Sequence, residues 1–174
     1  DAETAGLVSS LREQLDRLTA LVRTLLEMSN LQSVSRTDQI ALAPLVEEIL
    51  TDLTPLAQKN NISLQQDCEE MGMVGSDALI YRLVFNLVEN GIKYNRPGGA
   101  VRVTLRQEKQ AAVLRVADTG PGIPADCRDS IFQPFFRVDK SRSREMGGVG
   151  LGLALVREIA VLHGGSVTVE SSSE

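Results

Sequence analysis

Asn86, Asn90, Lys93 and Tyr94 stand close enough in sequence to share one rim of a helix, with positions 86, 90 and 93 within about 60° of one another at ~3.6 residues per turn. Two amide oxygens and an ammonium along such a rim suit a divalent cation together with phosphate oxygens. Mg²⁺ is hard, prefers oxygen ligands and keeps water and substrate phosphates in its shell, so a single Asn oxygen suffices. The same residues would also make an ordinary solvated helix edge. A second cluster, Asp118-Thr119-Gly120-Pro121-Gly122-Ile123-Pro124, follows a strand-like run. A carboxylate only accepts hydrogen bonds and so matches an exocyclic amine such as that of adenine. Its glycines let the backbone approach a planar ring, although Pro and Gly alone would also make a tight turn. The third cluster, Gly147-Gly148-Val149-Gly150-Leu151-Gly152-Leu153, opens a helix-like run ending at His163. Glycines at a helix N-terminus expose amides and the positive dipole end to an anion. No Gly-Lys-Ser/Thr follows, so it is not a Walker A loop, and its spacing is not that of a dinucleotide fingerprint.

These clusters need a scaffold, and the pattern of the chain predicts one. The first thirty or so residues read as one long helix, with Val8, Leu11, Leu15, Leu18, Val22 and Leu25 stepping by threes and fours like a coiled-coil seam. Such a seam calls for a second copy, a second helix or both; the alternative is packing on the chain's own domain. Gln32 to Gln39 is polar and reads as a hinge. Pro44 suits the first turn of a helix running to about Asn60. Ile62–Gln66 and Met71–Val74 are expected strands, and Ser76 or Asp77 should cap a helix carrying Ile80, Leu83, Val84, Leu87 and Val88 inward. Val101–Gln107 and Ala112–Ala117 are expected strands, and Ser166–Glu170 an expected last one. Mixed helices and paired strands give an α/β or α+β class with one sheet covered on one side.

Composition excludes several function classes. The chain has 174 residues and a formal charge of −5, so it offers no basic field for nucleic acid or an anionic membrane surface. No apolar run approaches the ~20 residues of a membrane helix, and no direct membrane contact is expected. The two cysteines, Cys68 and Cys127, are not a CxxC pair and read as reduced thiols of a cytoplasmic protein.

Taken in order, the three clusters resemble the N, G1 and G2 boxes of the ATP-binding catalytic domain of sensor histidine kinases, within the superfamily that includes gyrase and Hsp90. Ile131 to Asp139 is similar to that family's F box. His163-Gly164-Gly165 and the following Val167, Val169, Glu170 and Ser171 are similar to its closing segment. Leu11 to Ser29 resembles the second helix of the dimerization and histidine-phosphotransfer hairpin. The resemblance implies a two-layer sandwich, a mixed β-sheet backed by helices (the Bergerat ATP-binding fold), after one long helix. It divides the chain into an incomplete hairpin, 1–34, and a catalytic domain, 40–174. It implies ATP and Mg²⁺ as cofactors, a response regulator as partner, and a homodimer through the N-terminal helix. Residue by residue, Asn90, with Asn86, would hold the metal, Lys93 would face phosphates, and Tyr94 would lie against the nucleotide. Asp118 would bind the adenine amine, with Gly120, Gly122 and Ile123 shaping its pocket. Gly148, Gly150, Leu151 and Gly152 would bound the phosphates, and Arg137, Lys140, Arg142 or Arg144 would reach the γ-phosphate.

Three departures qualify the resemblance. Val149 stands where the family commonly has Ser or Thr, which removes a hydroxyl. The sequence given stops at Glu174, before the family's usual final strand. The phosphoacceptor box is absent, and the single histidine, His163, reads as a helix-end structural residue, so these residues are expected not to phosphorylate themselves. Two other functions stay open at this stage: an ATP hydrolase or ATP-driven clamp on the same fold, and a nucleotide-gated interaction module without catalysis.

Overall fold

The computed structural model describes the backbone at residues 2–138 and 150–170, with side chains from residue 4 onward. The Ala2–Asn30 helix (α1) leads through a 3-10 turn at Leu31–Ser33 into a short strand, Asp38–Ala41 (β1), and the Leu42–Lys59 helix (α2). Strands Ser63–Cys68 (β2) and Gly72–Gly75 (β3) precede the Asp77–Lys93 helix (α3). A hairpin of Ala100–Glu108 (β4) and Ala111–Asp118 (β5) follows, and the Gly152–Leu162 helix (α4) comes last.

Why these elements form is local chemistry. The α2 helix buries Leu45, Val46, Ile49, Leu50 and Leu53, a stripe at helical spacing. It ends at Asn60, with Asn61 in the left-handed region at φ 54, which Asn tolerates better than most residues. Ser76 caps α3 by accepting from the Leu79 N–H, and the Asp38 carboxylate accepts from the Asp77 N–H at 3.0 Å. The β4–β5 turn puts Lys109 at φ 56.

Two sheets result. β1 pairs antiparallel with β3. In the main sheet β4 is central, parallel to β2 and antiparallel to β5. β4 alternates, with Val101, Val103 and Leu105 fully buried against the helices and Arg102 on the other face. Val46, Ile49, Val84, Val88, Ile92, Leu155 and Ile159 complete the core from α2, α3 and α4. The class is the expected one, a mixed sheet backed on one face by helices.

Two details differ from the sequence reading. The expected hinge over Gln32–Gln39 is partly structured, since Asp38 and Gln39 open β1 and pair with Gly75 and Val74. Polarity concealed a strand whose residues other than Ile40 face solvent. Ser166–Glu170 alternates in sequence yet forms no strand among the described residues, because alternation supplies a suitable face but not a ladder. The Arg115 guanidinium on β5 is pushed up first by its bond to Glu108, and the charge of Glu170 adds to that push.

The long helix presents two faces. Arg17, Leu21, Thr24 and Met28 are half-buried at helical spacing, Met28 packs on the core and Leu31 is buried. The expected seam of Val8, Leu11, Leu15, Leu18, Val22 and Leu25 points away from the domain and is exposed, Leu15 to 63%.

Candidate functional site

The motifs that are far apart in sequence meet where backbones approach without room for a side chain. Gly91, next to Asn90 on α3, lies so close to the sheet that a Cβ there would stand 3.1 Å from a Val101 methyl and 3.6 Å from the Asp118 Cβ. Asp118 is thereby brought beside the Asn90 turn of α3. Gly120 seats the following loop on the end of the same helix, where a Cβ would be 2.8 Å from the Tyr94 carbonyl oxygen. Gly152, the first residue of α4, faces Asn86, with 3.4 Å between a Cβ position and Oδ1. Gly150, at φ +80, accepts through its carbonyl from the Phe135 N–H at 2.8 Å, so the F-box segment closes on the start of α4.

Individual side chains are held as follows. Asn86 is buried to 8% exposure and donates from Nδ2 to the Arg82 carbonyl at 2.9 Å, while its Oδ1 faces the start of α4. Asn90, half-buried one turn on, has no side-chain partner among the described residues. Lys93 pairs with Glu89 at 2.9 Å, an i,i+4 bridge that would share the ammonium with any phosphate. Tyr94 is exposed at the end of the helix. Asp118 is exposed, and its Oδ1 accepts from the Gly120 N–H at 2.7 Å, which orients the carboxylate. Ile123 is half-buried, while Gly122 takes a φ of 74 that suits glycine.

Around the phosphate end, Leu151 is buried and makes no side-chain cap for α4, so the first amides of that helix have no side-chain acceptor from the N-cap position. Arg137 is half-buried, with Nε and Nη2 shielded and unpartnered among the described residues. A buried guanidinium nitrogen without an acceptor is costly, and its natural complement is an anion. Lys140, Arg142, Arg144, Gly147, Gly148 and Val149 lie outside the described residues.

Among the described residues other chemistry finds no site. Burial first, then the neighbouring acidic charge, pushes the Cys127 thiol up, and burial does the same to Cys68, so both stay protonated near neutral pH. Among the described residues no cluster of three His, Cys, Asp or Glu side chains could hold a metal. A cleft of about 500 Å³ lined by Asp16, Arg23, Glu27 and Arg82 lies between α1 and α3 and contains no residue of the motifs.

Asn95 escapes sequence reasoning, and Thr119, although part of the second cluster, has no role assigned there. Thr119 Oγ1 donates to Asn95 Oδ1 at 2.9 Å and accepts from the Ala100 N–H at 2.9 Å, while Asn95 Nδ2 donates to the Ala100 carbonyl at 2.9 Å. Asn95 directly follows Tyr94, and an Asn just past a helix end is a faint signal of such a bond.

Comparison with known proteins agrees with this geometry. The profile of the family described as histidine kinase-, DNA gyrase B-, and HSP90-like ATPase matches residues 75–174. The sensor histidine kinase RppB of Synechocystis is 38% identical over 98% of this chain, which covers 38% of RppB. The chain thus spans less than half the length of that curated relative. Among solved structures, the mycobacterial sensor histidine kinase MprB superposes with a TM-score of 0.65 at 29% identity, over 74% of this chain and 80% of the solved MprB chain. ThkA, solved in complex with the response regulator TrrA, shares the fold with a TM-score of 0.71 at 24% identity, over 91% of this chain and 44% of the solved chain. The chain belongs to the family of histidine kinase-, DNA gyrase B- and HSP90-like ATPases and carries the catalytic ATP-binding domain of a sensor histidine kinase.

Proposed function

We propose that this chain transfers the γ-phosphoryl group of Mg·ATP to a histidine carried by another segment, for relay to an aspartate of a response regulator. The observation that carries this reading is the approach of three segments to the second half of α3: Asp118 at Gly91 beside Asn90, the Gly120 loop at Tyr94, and the start of α4 at Asn86, with the F-box segment joined to α4 through Gly150. The residues present fit Mg·ATP. Asn90 offers an amide oxygen that has no partner among the described residues for the cation, Asp118 an acceptor for the adenine amine, and Arg137 with the α4 amides a cradle for phosphates. When bound, Mg·ATP supplies the phosphoryl group and a cation that neutralises its charge. The chain's part is then positioning and electrostatic stabilisation, which account for most of the catalysis in phosphoryl transfer.

Within this reading, residues 1–34 are the second helix of a dimerization hairpin and 40–174 the catalytic domain. The exposed apolar seam of α1 supports a second copy as its partner. ThkA's complex with TrrA supports a response regulator as the relay partner. Use of Mg·ATP supports a cytoplasmic setting, and no helix among the described residues is long and apolar enough to cross a membrane.

Hydrolysis or clamp action is disfavoured by Asn86. Related ATPases place a water-activating Glu four residues before the metal-binding Asn; here that position holds a buried amide with no basic oxygen to spare. Self-phosphorylation is disfavoured by His163. Its Nε2 accepts from the Ser76 N–H at 3.0 Å, so the proton sits on Nδ1, which donates to the Ile159 carbonyl at 2.8 Å. Both ring nitrogens are thus occupied, Nε2 in tying the end of α4 to the cap of α3 and Nδ1 on a carbonyl of α4 itself. The test is incubation with radiolabelled Mg·ATP, with and without an added histidine-bearing helix. Acid-labile, base-stable label should appear on the added helix only. Label on this chain alone, or none on the helix although ATP binds, would overturn the reading.

A further inference from the structure

We propose that Asn95 and Thr119 are positioning residues that hold Asp118 in register with α3, and that selectivity for adenine depends on them. The inference rests on the nucleotide reading of the site and deepens it. Asp118 ends β5, beyond which the loop has no ladder partner, and its bond to the Gly120 N–H orients the carboxylate only relative to its own loop. What fixes that loop relative to the Asn90 helix is a hub of three segments. Thr119 Oγ1 donates to Asn95 Oδ1, which also accepts from the Arg96 N–H at 2.9 Å. Both residues then clasp Ala100 at the start of β4. Its N–H donates to Thr119 Oγ1, and its carbonyl accepts from Asn95 Nδ2 and, at 3.2 Å, from the Thr119 N–H.

The hub is closed sterically as well. A Cβ on Gly99 would collide with both Asn95 Oδ1 and Thr119 Oγ1, and one on Gly120 would meet the Tyr94 carbonyl. Every polar atom of the Asn95 amide group has a partner, so the arrangement has a single satisfied geometry. Neither side chain is aimed at a base or a phosphate by any of these bonds. Their effect is to set the height of Asp118 above the turn that carries Asn90 and Tyr94. A carboxylate held there accepts from the amine of adenine and is repelled by the carbonyl that guanine carries at the same ring position, so a loop free to shift loses the contact that favours ATP.

The test has two readouts on the same folded variants. In the nucleotide-free protein, exchange of the amides of residues 118–120 and 122 should rise about tenfold in Thr119→Val, which keeps shape but loses the hydroxyl, and stay near wild type in Thr119→Ser. In calorimetric titration with ATP and GTP, Thr119→Val and Asn95→Ala should each weaken ATP about tenfold while GTP changes less than about twofold. Thr119→Ser should restore the discrimination. The double variant should be no worse than the poorer single one, because both act through one network. Should Thr119→Val not fold, Asn95→Ala carries both readouts. Unchanged loop exchange in the folded variants would overturn the clamp. An unchanged ATP-to-GTP ratio, or a serine variant that behaves like valine, would overturn the link to selectivity. A wild-type protein that binds no ATP would instead overturn the nucleotide reading, with the exchange result still deciding the clamp.

Discussion

Asp118, Asn90 and Arg137 divide the work at the scale of single residues. Asp118→Ala should weaken ATP by about 2 kcal/mol, since a buried amine loses a charged acceptor, and should blunt discrimination against GTP; titration with both nucleotides checks it. Asn90→Ala should abolish transfer to an added histidine helix while leaving metal-free nucleotide binding, and wild-type transfer by this variant would remove the metal assignment. Arg137 makes the opposite prediction for stability. Its shielded Nε and Nη2 have no partner among the described residues, which burdens the nucleotide-free fold. Arg137→Met should therefore leave the melting temperature of the free protein unchanged or raise it, while weakening ATP at least about tenfold. A melting temperature that falls with ATP affinity intact would show a purely structural arginine.

The helices set the next scale. α2 and α3 are tied by Tyr81, whose hydroxyl donates to the Asp52 carboxylate at 2.5 Å while its ring stacks on Phe85. The hydrogen bond, then burial, push the Tyr81 phenol up to about 12. Because the folded value lies above the unfolded one near 10, the bond's contribution is complete below about pH 10 and disappears as pH rises toward 12. Urea unfolding should show Tyr81→Phe less stable by no more than about 1 kcal/mol, solvent having access to the pair. That difference should be constant from neutral pH to about 9 and should close between about 10 and 12. On α1, Leu15→Glu with Leu18→Glu puts charges into the exposed seam. The catalytic domain should keep its melting transition while self-association falls, and loss of the whole fold would make the seam part of the core.

At the scale of the molecule, the arm and the catalytic domain are joined by two kinds of contact. Met28 and Leu31 seat the end of α1 on the core, and Glu27 pairs with Arg82 of α3 at 3.4 Å across the polar cleft. Both partners of that pair are close to half exposed, so it is worth at most about 1 kcal/mol and weakens with salt. Glu27→Arg should broaden the distribution of arm-to-domain distances between spin labels, and the exchange Glu27→Arg with Arg82→Glu should narrow it again. Equal distributions in all three proteins would show that the apolar seat alone sets the arm's position.

What the sequence determined by itself is whatever depends on neighbours along the chain. Helical periodicity set α1, α2 and α3, Ser76 marked a cap, and the alternation of β4 marked its buried face, because each is a local rule of spacing. The motifs were legible for a related reason, since amide, carboxylate and glycine chemistry is carried by residue type. Their meeting was not. That Gly91 lets Asp118 reach the Asn90 turn, that Gly150 joins the F-box segment to α4, and that Asn95 clasps Thr119 depend on packing between segments distant in sequence. The same reason separates β1 from the expected hinge and leaves 166–170 without a ladder, since a strand exists only when another backbone offers its hydrogen bonds. It also decides the two faces of α1, because periodicity supplies an apolar stripe and only the tertiary structure says which stripe the domain covers and which it leaves open.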